Sequence, residues 1–295
     1  MTFPIRGIGL WSGELRYGDR GAANAAAVEL DDLGFPALWI PDVGGNLFDV
    51  VEALLAATTR TTIATGILNL WMHTGEETSA QHARLTAAFG RRFLVGIGVS
   101  HAPLIDMAEA GKYKQPYSQM VKYLDAIDAA LTPVPTEDRI LAALGPKMLE
   151  LARDRTGGAH PYLVTPEHTA IARASLGTNG ALLLPEQAVV LETDPDAARA
   201  IARGHLAMYA TLPNYVNNWL RLGYTPDDVA NGVSDRLVDA LVVWGDESAI
   251  QARVQQHFDA CADHVCMQLL ADPVSVAATN GMPLEGWRRL AAAML

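Results

Sequence analysis

Phe93-Leu-Val-Gly-Ile-Gly-Val-Ser-His-Ala102 is the stretch whose reading decides the fold. So short and so apolar a run fits a strand buried on both faces, which is the environment of a parallel sheet. Gly96 and Gly98 lie toward its end, where a missing side chain lets the backbone approach a ligand closely. His101 follows beyond the strand's carboxyl end, the side on which parallel α/β folds keep their chemistry.

On either side of this stretch, short β-like runs alternate with helical patterns. Residues 5–10, 37–41, 61–68, 93–99, 139–144, 159–164, 187–192 and 264–270 read as strands. Between them, 21–33, 48–58, 76–89, 116–131 and 146–155 read as helices, and another follows Thr165 or Pro166. Gly34 and the pair Pro133 and Pro135 act as stops. Pro146 sits in a first turn, where its missing N–H costs nothing. Strands alternating with helices imply parallel pairing and right-handed crossovers. Eight such units make a (β/α)8 TIM barrel of the α/β class the first choice. A doubly wound sheet is second, and Gly96-Ile97-Gly98 lacks the third glycine of a dinucleotide fingerprint.

The stretch 193–262 breaks the rhythm and reads as a helical insertion before the last strand. Ile250, Val254, Phe258 and Cys261 recur there at helical spacing, as a core-facing stripe would. Leu212-Pro-Asn-Tyr-Val-Asn-Asn-Trp219 is polar and aromatic together, and reads either as a substrate-side cap or as ordinary helix packing. With no repeat or linker in view, residues 1–295 read as one domain.

Composition narrows the function. A net charge of −11 argues against a nucleic-acid or anionic-membrane surface. It leaves room for an anionic small molecule held by a few local donors. Cys261 and Cys266 have neither zinc nor thioredoxin spacing and read as two buried reduced thiols. With no basic-then-apolar leader and no apolar run long enough to span a bilayer, a cytoplasmic location is expected. No metal set, acyl-transfer elbow or phosphate loop is present.

Several strings then carry a resemblance. They are Leu38-Trp-Ile-Pro-Asp42, Ala64-Thr-Gly-Ile-Leu-Asn-Leu-Trp71, Phe93 through Pro103, Ala143-Leu-Gly-Pro-Lys-Met-Leu-Glu-Leu-Ala152, Gly158-Ala-His-Pro-Tyr162 and Ala262-Asp-His-Val-Cys-Met-Gln268. In this order they resemble the bacterial luciferase-like monooxygenase superfamily, and more narrowly its actinobacterial branch that uses the deazaflavin coenzyme F420. The resemblance implies a barrel with the cofactor across the carboxyl ends of its strands, two-electron chemistry at the ring, and a homodimer touching through the helices after strands two and three. Hydride transfer between F420 and an organic substrate is the activity implied. An FMN-dependent monooxygenase and a non-catalytic flavin- or deazaflavin-binding barrel are the alternatives.

The resemblance also points to residues. Asp42 matches an acidic residue near the ring, or else caps a turn. Gly66-Ile67 matches a non-proline cis peptide behind the ring. Asn69 would face the ring's polar edge. Leu144-Gly145 leads into a helix N-terminus suited to the cofactor phosphate, with His160 and Tyr162 on that side or else in the core. His101 stands where some deazaflavin dehydrogenases hold a catalytic acid, and an imidazole there can give or take a proton. Trp11, Trp71, Met72, His73 and Tyr215 would wall a pocket for an apolar or conjugated substrate. Two departures matter. Val43 stands where sugar-phosphate and alcohol dehydrogenases of the family have a histidine, and 163–170 holds Glu167 but no lysine for a substrate phosphate.

Overall fold

The computed structural model describes residues 3–178, 180–271 and 281–295. In chain order its elements are β1 (Gly7–Trp11), α1 (Glu14–Tyr17), α2 (Arg20–Leu33), β2 (Ala37–Ile40), α3 (Leu47–Ala57), β3 (Thr62–Thr65), β4 (Leu68–Asn69), α4 (Gly75–Phe89), β5 (Phe93–Gly98), α5 (Ala102–Ala108), α6 (Pro116–Asp128), β6 (Arg139–Leu141), α7 (Pro146–Arg155), β7 (Gly158–Ala159) and α8 (Pro166–Leu176). There follow β8 (Leu182–Leu183), β9 (Glu186–Val190), α9 (Pro195–Tyr209), α10 (Pro213–Arg221), α11 (Pro226–Val229), α12 (Asp235–Leu241), β10 (Val242–Trp244), α13 (Glu247–Asp259), β11 (His264–Leu269) and α14 (Leu284–Met294).

All paired strands run parallel, in the order β10-β9-β11-β1-β2-β3-β5-β6-β7-β8, with β4 beside β5. Several helices start where the sequence supplies a cap. The side chains of Asp19, Asn46, Thr74, Thr165 and Asp194 each accept a backbone N–H from the first turn of the helix that follows. α2 ends at Gly34, whose φ of 100° suits a residue without Cβ.

The sheet curls because one bent segment serves two edges. Leu182, Leu184 and Glu186 donate their N–H groups to Gly157, Ala159 and Pro161 on one side. On the other, Leu183 and Pro185 accept from Asp263 and Cys266. The result is a TIM-barrel-like α/β fold. Side chains alternate between its faces. Leu38, Ile63, Val95, Leu141 and Val265 pack outward with the helices, while Trp39, Ala64, Leu94, Ile140 and Cys266 fill the interior. Inside, Trp39 stacks on His160 at 4.4 Å and donates through Nε1 to Nε2 of His264 at 3.1 Å.

Four expectations need correction. The third strand is not continuous over 61–68: the chain turns at Gly66-Ile67, whose peptide bond is cis, as the resemblance implied. The region 193–262 is not wholly helical, since Val242–Trp244 forms a strand beside β9. Cys261 is exposed and only Cys266 is buried; Cys261 lies past the end of α13 at φ 67°, off the helical stripe on which Ile250 and Val254 are buried. Of the glycines in the opening stretch, Gly96 admits protein and not ligand, whereas Gly98 does line the cavity described below. A Cβ on Gly96 would stand 2.0 Å from the carbonyl oxygen of Thr65, and one on Gly98 would stand 2.5 Å from the Ile67 side chain.

Candidate active site

A mostly apolar cavity of about 970 Å³ opens at the carboxyl ends of the strands. Trp11, Asp42, Gly66, Ile67, His101, Leu144, Gly145, His160, Tyr162 and Tyr215 line it, so the folding of β1, β2, β3, β5, β6, β7 and α10 brings these sequence candidates together. Asn69, Trp71 and His73 are not among its lining residues.

β4 explains that exclusion, because it carries the chain onward beside β5 before the loop begins. Asn69 is fully buried; its N–H donates to Asp42 and its Oδ1 accepts from the N–H of Trp71. Trp71 turns behind the wall, donating to the Val99 carbonyl at 2.8 Å with its ring against Tyr113. His73 faces a second, shallower cavity of about 410 Å³ between α4 and α6.

Asp42 lines the main cavity, but its carboxylate has no accessible surface. Oδ2 takes the Asn69 N–H and His73 Nε2, both at 3.1 Å. Oδ1 faces the Gly44 N–H at 3.4 Å and Arg16 at 3.9 Å. His73 in turn meets Glu77 at 3.5 Å. Arg16, Asp42, His73 and Glu77 thus form a row of alternating charge that ties together the segments following β1, β2 and β4. Burial disfavours the imidazolium of His73, but the bonds and charges of Asp42 and Glu77 outweigh it and raise its pKa above the ordinary value. A raised histidine contributes stability that is fully present below its unfolded pKa and is lost as pH rises through the folded one. The stability advantage of the native protein over a His73→Gln variant will therefore shrink as the pH is raised above about 6.5. Urea unfolding at a series of pH values measures it, and a gap that widens with pH would contradict the assignment.

His101 immediately precedes α5 without a side-chain capping bond and is half-buried at the cavity wall. Its ring stands 5.5 Å from that of Tyr215 and 6.5 Å from that of Tyr209. Burial lowers its pKa, opposed in part by a hydrogen bond with the Asn214 side chain, so the neutral form is favoured. His160 donates through Nδ1 to the Leu184 carbonyl at 2.6 Å, which leaves Nε2 unprotonated and without a partner. Burial pushes its pKa down to about 4, so it remains a neutral wall residue.

At the other end, Gly145 opens α7 with no side chain in the way. The nearest atom to a Cβ placed there is the Arg221 guanidinium, at 3.7 Å. Lys147 and Asn217 also line this end. His168 donates through Nε2 to the Leu144 carbonyl at 2.9 Å and steadies the turn. Glu167, by contrast, sits in the first turn of α8 and is not among the lining residues.

α10 contributes Asn214, Tyr215, Asn217 and Arg221 to the cavity, while its Trp219 is buried in packing. The stretch 212–219 is therefore both cap and core. Asn214 lay within the stretch expected as a cap, whereas sequence reading missed Tyr209, Lys147 and Arg221; for Arg221 the helical spacing from Asn214 and Asn217 was the available signal. It also missed Glu186, which pairs in register with Cys266 and so shares the inner face. Its Oε2 accepts from the Leu163 N–H, its Oε1 has no partner, and burial pushes its pKa up to about 8.

Comparison with known proteins agrees with this architecture. Among curated proteins no sequence relative is found. In structure the chain is similar to an F420-dependent secondary alcohol dehydrogenase in complex with an F420-acetone adduct, at 16% identity and a TM-score of 0.73 over 98% of this chain and 99% of that one. It is equally similar to a coenzyme F420 dependent tetrahydromethanopterin reductase from Methanopyrus kandleri, at 14% identity and a TM-score of 0.73 over 98% and 99%. A type II Baeyer-Villiger monooxygenase of Pseudomonas putida in complex with FMN, the oxygenating constituent of 3,6-diketocamphane monooxygenase, matches at 12% identity and a TM-score of 0.68 over 97% and 96%. The family model for luciferase-like monooxygenases matches residues 10–264, and the chain belongs to that family.

Proposed function

We propose that the protein is an oxidoreductase that binds coenzyme F420 in the cavity and moves a hydride between C5 of its ring and an organic substrate. The observation that carries this reading is the cavity itself, which runs from His101 to Gly145 along the strand ends. Two features fit the cofactor. Gly66 and Ile67 lie in the wall where the family resemblance puts the back of the ring. The open N-terminus of α7, with Arg221 and Lys147 beside it, suits a phosphate. When bound, the cofactor supplies the two-electron chemistry.

The chain's own residues hold and orient. His101, neutral near pH 7, accepts or donates the proton that accompanies hydride movement. Trp11 and Tyr215 exclude water and favour an apolar or conjugated substrate. Val43 is exposed at the mouth and offers no proton, which disfavours alcohol oxidation through that position. The reading includes one domain over the whole chain and a homodimer formed through α3 and α4.

Side-by-side titration of the purified protein with F420 and with FMN, followed by tryptophan fluorescence, tests the proposal, because Trp11 lies in the cavity wall. The expected result is saturable quenching by F420 at least about tenfold tighter than by FMN, a gap of about 1.4 kcal/mol. Tighter FMN binding with oxygen consumption would assign a monooxygenase instead, and binding of neither would end the reading.

A further inference from the structure

Tyr162 lines the cavity, but its hydroxyl has no capacity left for a ligand. It donates to Oε1 of Gln268 at 2.6 Å, and the Tyr209 hydroxyl donates to it at 3.3 Å. Nε2 of His205 lies 3.3 Å away. A phenol has one proton to give and two lone pairs. With the proton on Gln268 and one lone pair taken, Nε2 of His205 is the third partner's donor.

These partners come from separate elements. His205 and Tyr209 are one turn apart on α9, and Gln268 is on β11. Tyr162, just after β7, therefore pins α9 to the strand ends. The Tyr209 ring meets Tyr215 of α10 edge-on at 5.0 Å, and both rings stand against His101. Removing the phenol oxygen would leave the His205 N–H, the Gln268 carbonyl and the Tyr209 hydroxyl unpaired in largely apolar surroundings. A buried donor or acceptor left without a partner is costly, so α9 would move rather than leave all three unpaired.

We propose that Tyr162, His205 and Gln268 form a positioning hub that docks α9 onto the strand ends and, through Tyr209 and Tyr215, sets the ring of His101 in the cavity. The hub rests on the reading of the cavity as the active site, and it gives a role to side chains that need not touch the reacting atoms.

The test is an NMR titration of the His101 ring in ligand-free full-length protein, with F420 affinity measured in parallel. The variants are Tyr162→Phe, His205→Ala and His205→Gln. Phenylalanine keeps the ring and loses all three bonds; glutamine keeps an N–H donor of similar reach. In Tyr162→Phe and His205→Ala, the His101 pKa should rise toward about 6.5 as its surroundings loosen, and F420 should bind about tenfold more weakly, a loss of about 1.4 kcal/mol. His205→Gln should restore both. An unchanged His101 titration in Tyr162→Phe overturns the hub, and so does a His205→Gln variant that behaves like His205→Ala. Should Tyr162→Phe fail to fold, the two His205 variants decide. If wild-type protein binds neither F420 nor FMN while the His101 shift is seen, the hub stands and the cofactor reading falls.

Discussion

Gly96→Ala is expected to cost at least about 3 kcal/mol of folding stability, or to abolish soluble expression. The added methyl group would stand 2.0 Å from the Thr65 carbonyl oxygen, and that oxygen belongs to backbone with nowhere to go. Thr65 and Gly96 are also bound reciprocally. The threonine Oγ1 donates to the Gly96 carbonyl at 2.8 Å and accepts its N–H at 2.9 Å. These side-chain bonds hold β3 to β5 just before the chain turns at Gly66. Prying the pair apart would disturb the cavity wall as well as the sheet. Gly204 supplies the control. It lies within α9 with nothing inside 4 Å of a Cβ, so Gly204→Ala should stabilise by about 0.5–1 kcal/mol. Urea midpoints of the two variants make the comparison, and equal midpoints would contradict the steric argument.

The second large effect runs toward greater stability. Glu186 is fully buried, and burial raises its carboxyl pKa from 4.5 to about 8. For a carboxyl whose folded pKa lies above its unfolded one, folding is least penalised below the unfolded value. Stability then falls as pH rises toward the folded value. At pH 7 the unfolded chain gains from ionising while the folded chain keeps the proton, a penalty on the order of 3 kcal/mol. Glu186→Gln removes that penalty and keeps an acceptor for the Leu163 N–H. The variant should exceed the native protein by roughly that amount at pH 7 and match it near pH 4, in denaturant titrations at the two pH values. A variant less stable at pH 7 would show that the ionised carboxylate has a partner.

The long apolar strands were legible in the sequence because burial on both faces leaves a clear signature. The expected 93–99 and 264–270 differ from Phe93–Gly98 and His264–Leu269 by one residue each. What escaped was short or interrupted. β8 has two residues and is cut from β9 by Leu184-Pro185, so no alternation could develop. β10 follows α12 so closely that Val242 continues the apolar spacing of Leu237, Val238 and Leu241, all of them buried. The cis bond at Gly66-Ile67 came from family resemblance and not from physics, since a glycine inside a strand suggests no such thing.

The cavity residues split on the same grounds. Those directly following strands, such as Gly145 and Tyr162, landed where a barrel would put them. Asn69, Trp71 and His73 did not, because the two extra strand residues of β4 could not be seen in advance. Tyr209 and Arg221 were missed because they reach the cavity from helices remote in sequence.

The pairing of β1 with β11 sets the order in which this chain can be completed. Gly7–Trp11 has one neighbour in β2, made almost at once, and the other in His264–Leu269, the last strand among the described residues. Throughout synthesis the first strand therefore exposes bare amide and carbonyl groups to any passing polypeptide. A nascent chain stalled before residue 264 is a half-sewn sleeve, with one edge open to strand-to-strand association until the end is made.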